Sequence, residues 1–175
     1  MRNQIEKQAI YSGQSLCSRF QGNARAVKNG NHFTPASATN SNMSKKGLLL
    51  VGHGSKLPYN KELIESTASL IARKHPAFIV KCGFMNINSP SIEETMAEFQ
   101  KETIDVLVVV PLFLAKGVHI LKDIPAVIGL EEGKNKGVFS LNGRSIPLLY
   151  ADPIGSDPLL AELMVKNAEQ ALSTL

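Results

Sequence analysis

From Met43 onward the chain reads as an α/β domain, a four-stranded parallel sheet flanked by helices, and three observations predict it. Short apolar runs rich in β-branched residues and Leu alternate with stretches of helical period, the pattern of βαβ units. The runs are unbroken rather than alternating, as strands buried on both faces are. No internal repeat or low-complexity segment interrupts the alternation.

The elements follow in order. Gly47 to Val51 is a fully apolar first strand. Asn60 to Lys74 places Leu63, Ile64, Thr67, Leu70 and Ile71 on one helical face, with Arg73, Lys74 and His75 at the C-terminal end that favours cations, and Pro76 stops it. Ile79 to Phe84 is the second strand. Ser89-Pro90 offers an N-cap with proline at the first helical position, which predicts a helix reaching about Glu102. Val106 to Val110 is the third strand, ending at Pro111, and a helix from about His119 to Ile128 follows. Val138 to Leu141, Asn142-Gly143 and Ile146 to Tyr150 read as a hairpin-like turn feeding a fourth strand. Asp157-Pro158 caps the last helix, along which lie Leu159, Leu163, Ala168 and Leu172.

The first 42 residues differ in character. They are rich in Ser, Asn, Gln and Gly, lack a sustained apolar period and cannot bury enough surface to offset their ordering entropy, so a disordered extension is expected before a domain at 43–175. Its basic, acid-poor composition faintly resembles a transit peptide, but Met43-Ser-Lys-Lys looks like a natural start, and an upstream start codon is the preferred account. The net charge of +4 belongs to this extension, with Arg2, Lys7, Arg19, Arg25 and Lys28 against Glu6, and the segment from Met43 balances its charges. Neither a nucleic-acid nor a membrane partner is therefore expected. Cys17 and Cys82 have neither zinc-ligand nor disulfide spacing, and no apolar run approaches the roughly 20 residues of a membrane span. The expectation is a soluble cytoplasmic protein.

Two histidines carry the candidate chemistry. Gly52-His53-Gly54-Ser55 stands directly after the first strand, and His119 shortly after the third, beyond the carboxyl ends where open α/β sheets bind ligands. A strand order 2-1-3-4 would make their strands neighbours and turn both imidazoles to one crevice. The glycines flanking His53 allow a backbone turn and the close approach of a broad planar ligand. Imidazole is a borderline-soft ligand for cobalt, nickel, iron and zinc, and with an ordinary pKa near 6.5 it binds metal or accepts a proton near neutrality. A structural role stays open for either histidine alone; the pairing at one edge is what points to chemistry.

Leu48-Leu-Leu-Val-Gly-His-Gly-Ser55 and Val110-Pro-Leu-Phe-Leu-Ala-Lys-Gly-Val-His-Ile-Leu-Lys-Asp-Ile-Pro125 resemble the two signature segments of the short archaeal sirohydrochlorin chelatases, class II tetrapyrrole chelatases. The similarity extends through Lys56-Leu-Pro-Tyr-Asn60, Gly83-Phe-Met85 and Tyr150-Ala-Asp-Pro153. The resemblance implies insertion of cobalt or nickel, with iron also open, into sirohydrochlorin on routes to cobalamin or to the nickel tetrapyrrole coenzyme of methanogenesis. It implies that His53 binds metal and accepts a proton, that His119 is the second ligand, and that Phe113, Leu114, Ala115, Lys116, Gly117 and Val118 line the tetrapyrrole. Asn86 stands where relatives commonly have Glu, and a His-rich insertion of some relatives is absent. No permanent cofactor is implied, since Co2+ or Ni2+ is a substrate. A homodimer is expected, because a flat macrocycle needs walls on both faces and one such domain supplies a single crevice.

Other readings are weaker. Ser55 could be a nucleophile beside an oxyanion-holding His-Gly turn, but no G-x-S-x-G elbow is present. Gly52 and Gly54 lack the third glycine of a dinucleotide loop. A non-enzymatic carrier of tetrapyrrole or metal with the same fold is the main alternative, motivated by Asn86, and turnover separates the two. Lys56 and Lys116 flank the histidines as potential partners of substrate carboxylates or as solvated surface charges. His75 ends a helix, His32 lies in the extension, and Cys82 is a small buried residue.

Overall fold

In the computed structural model, which describes residues 45–175, the first strand is the axis of the sheet. β1 (Lys46–Gly52) pairs in parallel with β2 (Phe78–Phe84) on one side and with β3 (Val106–Pro111) on the other. Its burial is nearly complete beyond Lys46, as the unbroken Leu-Leu-Leu-Val run requires. The expected extension and its boundary at Met43 lie outside the described residues.

The other part of the sheet comes from the hairpin. Asn142 and Gly143 both take positive φ, 49° and 79°, the type I′ turn that folds two strands back on each other directly. β4 (Lys136–Leu141) therefore runs antiparallel to β5 (Arg144–Tyr150), and β5 docks in parallel on β3. The order is β2-β1-β3-β5-β4. The four expected parallel strands are present in the order 2-1-3-4, and the first arm of the hairpin adds an antiparallel fifth at the edge. Among the described residues no helix is long and apolar enough to cross a membrane.

Two helices differ from the sequence reading. Ser89-Pro90 does not open the second one. The Pro90 carbonyl accepts from Phe84 N–H at 3.0 Å, and Ser91 forms a parallel bridge with Phe84, so the chain stays extended for two more residues. α1 (Tyr59–Lys74) starts as expected, whereas α2 (Ile92–Phe99) is capped by Ser91. There the Ser91 hydroxyl accepts from Glu94 N–H at 3.1 Å and the Glu94 carboxylate from Ser91 N–H at 2.7 Å, a reciprocal capping box. Single turns, not helix, carry the chain from Gln100 to Glu102.

The helix expected from His119 is split. Its first part, His119–Asp123, is a π-turn in which Ile124 N–H bonds the His119 carbonyl, and α3 (Ile124–Val127) follows. Pro125 explains the widening: it has no N–H for the Leu121 carbonyl, and its ring would press on that oxygen in an α-helix.

The core lies on both faces of the sheet, unequally. On one face Leu49, Val51, Leu107 and Val109 pack with Ile92 and Phe99 of α2 and Ile124 of α3. On the other, Leu48, Leu50 and Phe84 pack with Ile64 and Ala68 of α1. The α1 side covers β1 and β2 but leaves Val106, Val108 and Leu149 only partly buried and Val138 68% exposed. α4 (Pro158–Leu172) does not cover them: no residue of it is buried. Asp157 caps it as expected, its carboxylate accepting from Leu159 N–H at 2.8 Å.

Candidate functional site

His53 leaves the sheet at the end of β1, and the loop behind it is built to hold one shape. Gly52 O accepts from Met85 N–H at 3.0 Å and His53 O from Asn86 N–H at 3.2 Å, so the chain after β2 continues the pairing past the strand ends. Asn60 Oδ1 accepts from Gly54 N–H at 3.0 Å and Asn88 Oδ1 from Ser55 N–H at 2.7 Å. Gly54 has φ 86°, and a Cβ there would collide with the Asn86 carbonyl. At Gly52 a Cβ would stand 2.7 Å from Ile64. The turn expected from these glycines is present, but the room they leave is filled by protein, so they set the loop against β2 and α1 and open no path for a planar ligand.

The two imidazoles come together as expected. Their ring centroids are 5.1 Å apart at 66° between planes, with Phe113 edge-on to His53 at 6.2 Å. His53 Nδ1 donates to the Gly54 carbonyl at 3.0 Å, and His119 Nδ1 to Asp123 Oδ2 at 2.6 Å. A carbonyl and a carboxylate only accept, so each neutral ring carries its proton on Nδ1 and keeps the Nε2 lone pair for an ion or a proton. Among the described residues no group of three or more His, Cys, Asp or Glu is arranged to hold a metal.

The stretch after β3 forms one rim. Leu114, Ala115, Lys116, Gly117 and Val118 are all exposed, and a Cβ on Gly117 would meet nothing. Phe113 O and Leu114 O accept from Ile154 and Gly155 N–H, each at 2.9 Å, tying this rim to the segment after β5. Lys116 pairs with Asp152 at 2.8 Å, while Lys56 is exposed. Asn86 lines a cavity of about 280 Å³ with His119, Asp123, Glu93, Met85 and Ile92.

Sequence reasoning missed Asp123, although its spacing of four from His119 on a helical turn was a usable signal. It also missed Asn60 and Asn88, which shape the His53 loop from a distance, and Tyr150. The Tyr150 hydroxyl donates to the Ile120 carbonyl at 3.0 Å, pinning the π-turn to β5. Burial, then the nearby Asp152 charge, pushes this phenol up to about 12, so it remains a donor throughout the neutral range.

The model of the family CbiX matches residues 47–171, nearly all of the described chain. The chain belongs to the CbiX family. Its similarity to the sirohydrochlorin cobaltochelatase of Methanosarcina acetivorans is 46% identity over 128 residues, 73% of this chain and 98% of that protein. The protein of the same name from Methanosarcina barkeri is 44% identical over 128 residues, again 73% and 98% of the two chains. Among solved structures, the sirohydrochlorin chelatase SirB of Bacillus subtilis subspecies spizizenii, in complex with cobalt, superposes with a TM-score of 0.61 at 24% identity, covering 72% of this chain and 50% of SirB. At that identity the likeness establishes the shared α/β fold.

Proposed function

We propose that this CbiX-family chain inserts a divalent metal ion, Co2+ foremost, into sirohydrochlorin. The observation that carries the reading is the pair of imidazoles 5.1 Å apart at the open end of the parallel strands. The 46% identity to a sirohydrochlorin cobaltochelatase supplies the substrate.

Insertion exchanges two pyrrole N–H protons for one dication, so each turnover takes up M2+ and releases two protons. His53 and His119 hold the ion through Nε2, His53 takes a proton as the ion leaves it, and Asn86 with Phe113 to Val118 walls the macrocycle. A two-nitrogen grip suits this work, because a fuller ligand set would retain the ion against the four nitrogens of the substrate. Nickel and iron fit the same neutral donors, so the metal supplied decides between a cobalamin and a nickel-tetrapyrrole route. The metal is substrate, and no resident cofactor enters the chemistry. A cytoplasmic setting belongs to the same reading.

The same reading includes a homodimer. It is supported by a last helix with no buried residue, by the uncovered sheet face over β3 and β5, and by the match of this chain to half of SirB. The uncovered helix and the uncovered face are complementary apolar surfaces, and exchange of α4 between two copies would satisfy both.

Anaerobic incubation of the purified chain with sirohydrochlorin and Co2+, Ni2+ or Fe2+ in turn, followed by the absorption change, tests the activity. Multiple turnovers are expected, fastest with Co2+, abolished by His53→Ala and strongly reduced by His119→Ala. Stoichiometric binding without turnover would instead identify a carrier, and near-wild-type rates from both variants would remove the histidines from the mechanism.

A further inference from the structure

The two histidines of the pair are braced by different groups. His53 Nδ1 donates to a neutral carbonyl, that of its own neighbour Gly54, at 3.0 Å. His119 Nδ1 donates to a carboxylate, Asp123 Oδ2, at 2.6 Å, a shorter contact to a charged acceptor, and hydrogen bonds to ionised acceptors are the stronger class. The π-turn makes this contact: both residues sit on its five-residue loop, and Tyr150 anchors it through the Ile120 carbonyl. Asp123 has no other hydrogen-bonded or ionic partner among the described residues, and it borders the same cavity as His119.

A carboxylate behind an imidazole orients the ring, holds the proton on Nδ1 and makes Nε2 a stronger donor to a cation. A backbone carbonyl does the first two and adds little to the third. We infer that Asp123 is a positioning residue that makes His119 the metal-holding member of the pair, leaving His53 as the member that releases the ion and is free to take a proton. The inference rests on the chelatase reading for its meaning, but Co2+ binding without tetrapyrrole reports on it directly.

The test is equilibrium Co2+ binding to the full chain, by titration of the cobalt absorption, for wild type, Asp123→Ala, Asp123→Asn, His119→Ala, His53→Ala and the double variant Asp123→Ala/His119→Ala. Asp123→Ala is expected to weaken binding by about 10- to 100-fold, the range for lost outer-sphere partners. Asp123→Asn, which retains the shape and an acceptor oxygen, falls between it and wild type. His119→Ala weakens binding more than His53→Ala does. In the His119→Ala background, Asp123→Ala costs nothing further, because the carboxylate acts only through that ring. In turnover, the KM for Co2+ rises in Asp123→Asn while that for sirohydrochlorin holds.

Binding within about twofold of wild type in Asp123→Ala, an equal loss in both backgrounds, or no Co2+ binding by the wild-type chain would each overturn the inference. If the binding pattern holds but the wild type does not turn over, the chelatase reading falls and this one stands. Turnover with Asp123→Ala unaffected has the opposite consequence.

Discussion

The fold holds the protons of Cys82 and Tyr150 more firmly than water would. Burial, and secondarily the charge of Glu65, pushes the Cys82 thiol from 9.0 to about 11. Burial and then Asp152 push the Tyr150 phenol from 10.0 to about 12. In both, the folded chain binds the proton more tightly than the unfolded chain does. Their contribution to stability is therefore complete below about pH 9 and is lost as the pH rises through 9 to 11 for the thiol and 10 to 12 for the phenol. Thermal melts between pH 8 and 11 should show a steeper alkaline decline in wild type than in Cys82→Ser/Tyr150→Phe. Parallel declines would mean that neither group feels the fold. Cys82 was legible in the sequence only as a small residue in an apolar strand; the hold on its proton depends on burial and on Glu65, which stands well before it on α1.

Turns and caps show how little of an element's detail is local. Asn142-Gly143 was readable because a type I′ turn selects its residues by backbone angle alone, with no help from neighbours. The start of α2 was not, since a carbonyl demanded by Phe84 displaced the cap from Ser89 to Ser91. The same contrast separates two glycines. Gly143 has φ 79° and nothing within 4 Å of the place a Cβ would take, so Gly143→Ala meets backbone strain alone and should cost about 1 kcal/mol. Gly54 has φ 86° and the Asn86 carbonyl in the way, so Gly54→Ala must also part the His53 loop from the chain after β2. It should cost at least about 2 kcal/mol more. Urea unfolding of the two variants measures the difference, and equal costs would show that the loop yields freely.

The proposed homodimer rests on α4. Leu159, Leu163, Met164, Val165 and Leu172 are all exposed on it, and the apolar sheet face that lacks a helix belongs to the same chain. A helix of 15 residues is long enough for about four turns of contact across such a face. Light scattering at micromolar concentration should give twice the 19.0 kDa chain mass. Leu163→Glu/Met164→Glu should yield a folded chain of single mass with greatly reduced insertion, since the macrocycle then lacks its second wall. A fully active monomer would refute the shared cavity.

Hydropathy pattern and turn chemistry act within a few residues, so the strands and their carboxyl-end edge, where His53 and His119 stand, could be read from the chain alone, while the order of the strands was fixed only by the packed sheet. The signature segments named the family for the same reason, being continuous in sequence. The Asp123 brace behind His119 was readable as a spacing of four, while the side-chain orientation that makes it a contact was seen only in the structure. The purposes of Gly52 and Gly54, the fifth strand at the edge, and the helix left without a covering surface depended on Ile64, Asn86, β5 and the sheet face over β3. Those partners lie far off along the chain, and burial and hydrogen bonding between them arise only once the layers have packed.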